Sequence, residues 1–181
     1  MKKILLIVAA LFVLHNAKAQ SSNNSYREDS WHLVVGPSGL VNVKPGSDVL
    51  HIGYGAEGQL EYYPTNYVGV TVSTGYLRLI GAKPNGVKLP DFSFVPIRAG
   101  LKGFVVSNLY LLADVGIGFA SPKGMLNSTF VKTIAPGIGY SNQDIGLDIS
   151  LKYENLNQRN NYLSMFGLNV AYSFNLSGSG Y

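Results

Sequence analysis

Seven charged side chains recur on the polar sides of alternating segments: Glu57, Glu61, Arg98, Lys102, Asp114, Asp148 and Lys152. Each alternates with apolar positions at the two-residue period of a β-strand. Four acids and three bases nearly cancel, and charges drawn into one enclosure out of water must pair with one another. The chemistry this predicts is an ion-pair network, read either as a structural plug or as a gate for conduction. A nucleophilic set is also conceivable, because Ser47 and Asp48 stand just before His51. Their spacing matches no catalytic motif, and no enzyme is expected. Gly53-Tyr54-Gly55 and Gly116-Ile117-Gly118 precede no helix, so they are not phosphate loops. Asp, Glu and His do not cluster at ligand spacing, the chain has no Cys, and neither metal nor cofactor is expected.

The elements that must position these charges are strands. From Leu50 to Tyr63, the residues Leu50, Ile52, Tyr54, Ala56, Leu60 and Tyr62 oppose His51, Glu57, Gln59 and Glu61. The pattern repeats over Asp144 to Glu154, Leu109 to Ala120, Phe94 to Val105, Tyr67 to Ile80 and Tyr162 to Leu176. Weaker strands near Trp31 to Leu40 and Phe130 to Tyr140 bring the number to eight.

Alternation alone also suits a soluble sandwich or a lipocalin, with the oily faces meeting in a core. The connections separate these readings. They run long at 41–48, short at 64–66, long at 81–92, short at 106–108, long at 121–129, short at 141–143 and long at 155–161. Such asymmetry predicts an all-β, eight-stranded antiparallel up-and-down transmembrane β-barrel with short periplasmic turns and longer extracellular loops. Trp31, Tyr62, Tyr63, Tyr67, Phe104, Tyr110, Tyr140, Tyr172 and Phe174 lie near the short turns. Tyr54, Tyr76, Phe94, Phe119, Phe130, Tyr153 and Tyr162 lie near the long loops. Two aromatic belts are expected at the two interfaces, with Trp31, Tyr62, Tyr140, Tyr172 and Phe174 marking the short-turn one.

Lys2-Lys3, the apolar run Ile4 to Leu14 and Ala17-Lys18-Ala19 predict a signal peptide over 1–19, cleaved before Gln20. The organisation expected is a leader (1–19), an N-terminal segment (20–29), a barrel (30–176) and a tail (177–181). The net charge of +4 is largely the leader's; the remainder carries 11 basic against 10 acidic residues. Nucleic-acid binding therefore has no electrostatic basis.

Gly55-Ala56-Glu57-Gly58-Gln59-Leu60-Glu61-Tyr62-Tyr63, Val95-Pro96-Ile97-Arg98-Ala99-Gly100-Leu101-Lys102 and Gly167-Leu168-Asn169-Val170-Ala171-Tyr172-Ser173-Phe174 carry a resemblance. Over about residues 30 to 176 the chain resembles the small eight-stranded outer-membrane β-barrels of OmpA and OmpX type. The last segment looks like the C-terminal strand read by the barrel-assembly machinery, although here Leu176 to Tyr181 follow it. The resemblance implies an outer-membrane location and contact with outer-membrane lipid and lipopolysaccharide. A monomer is expected.

With oily faces toward lipid, the seven charges enter a lumen that eight strands leave only wide enough for side chains. A hairpin centred near Ser107 puts Asp114 opposite Gly100, diagonal to Arg98 and Lys102. These three are expected to form one cluster, completed across the lumen by Glu57 or Glu61. The resulting function is structural or surface-interactive, in adhesion or envelope integrity. The alternative is a narrow porin-like channel. Lys83, Lys88, Lys123 and Arg159 in the connections suit an anionic surface partner.

Overall fold

The computed structural model describes residues 27–43, 50–83, 89–122, 129–158 and 161–177. The leader 1–19, most of the segment 20–29 and the end of the tail lie outside the described residues, as do Ser47 and Asp48. Eight strands follow one another: β1 Ser30–Asn42, β2 Leu50–Tyr63, β3 Val68–Gly81, β4 Phe92–Phe104, β5 Leu109–Pro122, β6 Thr129–Asn142, β7 Leu147–Gln158 and β8 Asn161–Asn175. Each pairs antiparallel with the next, and β1 pairs with β8 to close the barrel. Closure leaves no sheet edge with unpaired backbone groups, the condition for strands to cross hydrocarbon. At 12 to 15 residues, these strands exceed the 9 to 11 or so that a tilted crossing requires.

Period-two patterning decides which way each side chain points. Along β1, Trp31, Leu33, Val35 and Val41 are exposed while His32, Val34, Ser38 and Leu40 are buried. Val70, Val72, Leu101, Leu111, Val115, Ile134, Leu151 and Leu168 continue the apolar outer surface around the barrel. In water this continuous band would far exceed the apolar patches that monomeric soluble proteins tolerate. Lipid accommodates it.

Two connections differ from the sequence expectation. β7 begins at Leu147 rather than Asp144, because Asn142 Oδ1 accepts hydrogen bonds from the Asp144 and Ile145 amides and winds 143–146 into a turn. Gly146 completes the turn at φ 66°, a left-handed conformation that glycine adopts without a Cβ penalty. The expected long loop 155–161 is cut short, since β7 and β8 stay paired up to Gln158 and Asn161. Longer connections remain after β1, β3 and β5.

The interior is layered. At the short-turn end Tyr63, Phe104, Tyr110 and Leu112 pack together. Toward the other end Leu40, Leu77, Leu79, Phe94, Val131, Leu156 and Met165 form a second apolar cluster. Charged residues occupy the space between. Gly118 admits the Phe94 ring, which a Cβ there would approach to 2.1 Å.

Candidate functional site

The interior charges project from alternate positions of β2, β4, β5 and β7, so strand register sets their heights in the lumen. Glu57 and Glu61 are four residues apart on β2, Arg98 and Lys102 on β4, and Asp148 and Lys152 on β7. This spacing stacks two ionic layers.

In the layer nearer the short turns, Lys102 Nζ donates to Glu61 Oε1 at 2.9 Å and to Asp148 Oδ2 at 2.7 Å. The Tyr110 hydroxyl donates to Asp148 Oδ1 at 2.6 Å, and the Tyr63 hydroxyl donates to Glu61 Oε2. Gln59 Nε2 adds a 2.6 Å bond to Glu61 Oε1. Both carboxylates thus accept on both oxygens, which offsets the cost of removing them from water.

The second layer centres on Arg98. Its Nη2 donates to Glu57 Oε1 and its Nη1 to Glu154 Oε1, each at 2.7 Å. Lys152 Nζ reaches Glu57 Oε2 at 3.3 Å and lies 3.6 Å from Asp114 Oδ2. Thr71 Oγ1 donates to Asp114 Oδ1 at 3.4 Å.

Asp114 does lie opposite Gly100, but its ion-pair partner is Lys152, not the diagonal Arg98 or Lys102. Chain length explains the difference from the expected cluster. The long Arg98 and Lys102 side chains span the lumen to acids on β2 and β7, whereas the short Asp114 stays near its own wall. Glu57 and Glu61 both take part, one in each layer. Gly100 provides the space, since a Cβ there would meet Asp114 Oδ1 at 2.1 Å.

Two buried charges lie outside the expected set. Glu154 shares the inward face of Asp148 and Lys152, so strand parity could have identified it. Arg27 precedes β1 and carries no periodic signal. It caps the short-turn mouth, with its guanidinium 3.7 Å above the Phe104 ring, Nη1 2.7 Å from Ser107 O and Nη2 3.4 Å from Ser141 O. Burial pulls its pKa below the usual arginine value, while Tyr63, Glu61 and Asp148 pull the other way.

Of the belt residues, Trp31, Tyr140, Tyr172 and Phe174 are exposed, and Tyr62 is half-buried. Trp31 packs on Tyr62 with ring centroids 4.8 Å apart, and Tyr172 on Phe174 at 4.6 Å. Tyr63, Phe104, Tyr110 and Phe94 point inward instead, because they share strand parity with inward charges such as Glu61 and Lys102. His51 lies at a register irregularity between Leu50 and Ile52. Among the described residues, no three His, Cys, Asp or Glu side chains are placed to hold a metal ion.

No family model matches the chain, and no curated protein does. Solved structures do match. Ail, the attachment invasion locus protein of Yersinia pestis, aligns over 81% of this chain and 99% of its own, with a TM-score of 0.59 and 18% identity. The N-terminal β-barrel domain of Pseudomonas aeruginosa OprF aligns over 81% of this chain and 98% of its own, with a TM-score of 0.54 and 14% identity. Neisserial surface protein A aligns over 79% of this chain and 94% of its own, at 0.53 and 16%. The fold is that of the small outer-membrane β-barrels. In this barrel fold, identity below 20% with shared topology reflects what the membrane constrains: strand number, closure and an apolar exterior.

Proposed function

We propose that this chain is a bacterial outer-membrane barrel with a closed lumen, acting as a structural or surface-interacting protein in adhesion or envelope integrity. One observation carries the reading: the exterior is apolar around the whole barrel, while Arg98, Lys102, Glu57, Glu61, Asp148 and Glu154 are buried in mutual pairs. A lumen whose charges are spent on one another is a brace between strands, leaving the outer connections for partners. On this reading the leader 1–19 directs export and the barrel-assembly machinery inserts the chain. The short turns then face the periplasm. Outer-membrane lipid and lipopolysaccharide surround the monomer, and the cationic residues of the connections suit an anionic surface partner. A solved complex of Ail holds the heparin analogue sucrose octasulfate, an anionic ligand on a barrel of this fold.

A second reading, a narrow channel, draws on one feature: Glu57 is shared by Arg98 and Lys152, so its pairing can alternate. Planar-bilayer recording of the refolded, leader-free protein beside Lys102→Ala separates the two. A silent bilayer, with folding verified by heat-modifiable gel mobility, is expected of the brace. Stable conductance steps altered by the substitution would establish the channel instead.

A further inference from the structure

Arg27 does not belong to the strand scaffold, yet it is only 3% exposed. Its surroundings form a cage of guanidinium shape. The Phe104 ring stacks beneath the guanidinium plane at 3.7 Å. Two carbonyls, Ser107 O in one short turn and Ser141 O near the end of β6, accept from its two terminal nitrogens. Glu61 and Asp148, which share Lys102, act on it through their charge.

Charge balance favours a cation here. The strands bury five acids, Glu57, Glu61, Asp114, Asp148 and Glu154, against three bases, Arg98, Lys102 and Lys152. A guanidinium suits the site better than an ammonium, because only the planar group can stack on Phe104 while directing two donors at separate carbonyls. The arm bearing Arg27 is fastened at a few points: Ser30 Oγ donates to Arg27 O, Asp29 N to Tyr63 O at 2.8 Å, and Glu28 N to Asn66 Oδ1 at 3.1 Å. A cleft of about 410 Å³, lined by Arg27, His32, Asn108, Asn142, Asp144 and Ser173 among others, opens beside it at the short-turn side.

We propose that the short-turn mouth is a guanidinium-binding site, occupied by the chain's own Arg27, which takes a small free guanidinium compound when that side chain is withdrawn. The site is distinct from the ion-pair layers. It is independent of whether the lumen conducts.

The test titrates the full-length barrel, refolded in detergent, with L-arginine amide and with L-lysine amide by calorimetry. Arg27→Ala is expected to bind arginine amide saturably, and lysine amide at least about tenfold more weakly. Wild-type protein is expected to bind arginine amide at least about tenfold more weakly than the variant, because a tethered side chain competes at a millimolar effective concentration. Adding Phe104→Leu to Arg27→Ala should abolish binding. Arg27→Gln serves in its place if the alanine variant does not refold. A folded Arg27 variant with no saturable binding overturns the proposal, as does binding that is equal in wild type or survives the loss of Phe104.

Discussion

Arg98 and Lys152 hold the two oxygens of a single carboxylate, that of Glu57, at 2.7 and 3.3 Å. Three strands, β2, β4 and β7, are thereby joined through one residue across the lumen. Removing that carboxylate leaves two cations in a space closed to bulk water. Glu57→Gln is expected to cost about 3 to 5 kcal/mol of unfolding free energy, the range for breaking a buried pair from one side. Urea unfolding followed by Trp31 fluorescence measures it. Adding Lys152→Met should deepen the loss, because Lys152 also pairs with Asp114 at 3.6 Å and its removal leaves that carboxylate buried without its cation.

Around the outside, position along the strand sets the cost of a charge. Val115 lies midway along β5 and is 58% exposed, whereas Leu109 begins the same strand beside a short turn. Val115→Arg is expected to lose about 2 to 4 kcal/mol in lipid vesicles, and Leu109→Arg no more than about 1 kcal/mol. Equal, small effects at both positions would show that the exterior does not face hydrocarbon.

Packing at Gly118 gives a prediction of opposite character. A methyl group there meets the Phe94 ring, so Gly118→Ala should destabilise by about 1 to 3 kcal/mol through overpacking. Pairing it with Phe94→Leu should relieve the crowding, and the double variant is expected to be more stable than Gly118→Ala alone.

At the long-loop rim the same type of contact is worth far less. Arg78 Nη2 lies 2.9 Å from Asp91 Oδ2, but a third of the Arg78 side chain is exposed. Arg78→Gln is expected to leave stability nearly unchanged, with any wild-type advantage shrinking further at high salt. The contrast with Glu57 isolates burial as the variable.

Strand order and the inward position of Asp148 and Lys152 are legible in the sequence because apolar and polar residues there alternate cleanly over Leu147 to Glu154. Legibility fails where the polar residue sits on the outer face. Leu77 and Leu79 turn inward while Arg78, between them, lies on the outer side with Tyr76 and Ile80, so β3 near its end offers no polar residue to mark the lumen side. The apolar cluster they form with Phe94 and Met165 therefore leaves no mark in the alternation. Phe104 and Tyr110 lie near a turn, but parity with Lys102 and Asp114 is what turns them into the lumen. Arg27 has no local pattern at all: its place follows from an excess of buried acids that grows from one to two once Glu154 is included.

The pairing of β1 with β8 has a consequence for the order in which the chain is written. His32 lies opposite Asn175, and the Leu176 amide reaches back to Trp31 O at 2.8 Å, so the two ends of the sheet meet as the arms of a hairpin do. Topologically the barrel is a ring of eight antiparallel pairings in which one happens to lack its connecting turn. Bridging Arg27 to Ser177 with a short linker, and opening the chain within 123–128, would leave every ladder intact while making β6 the first strand and β5 the last. Position in the gene and position in the ring are separable in this molecule.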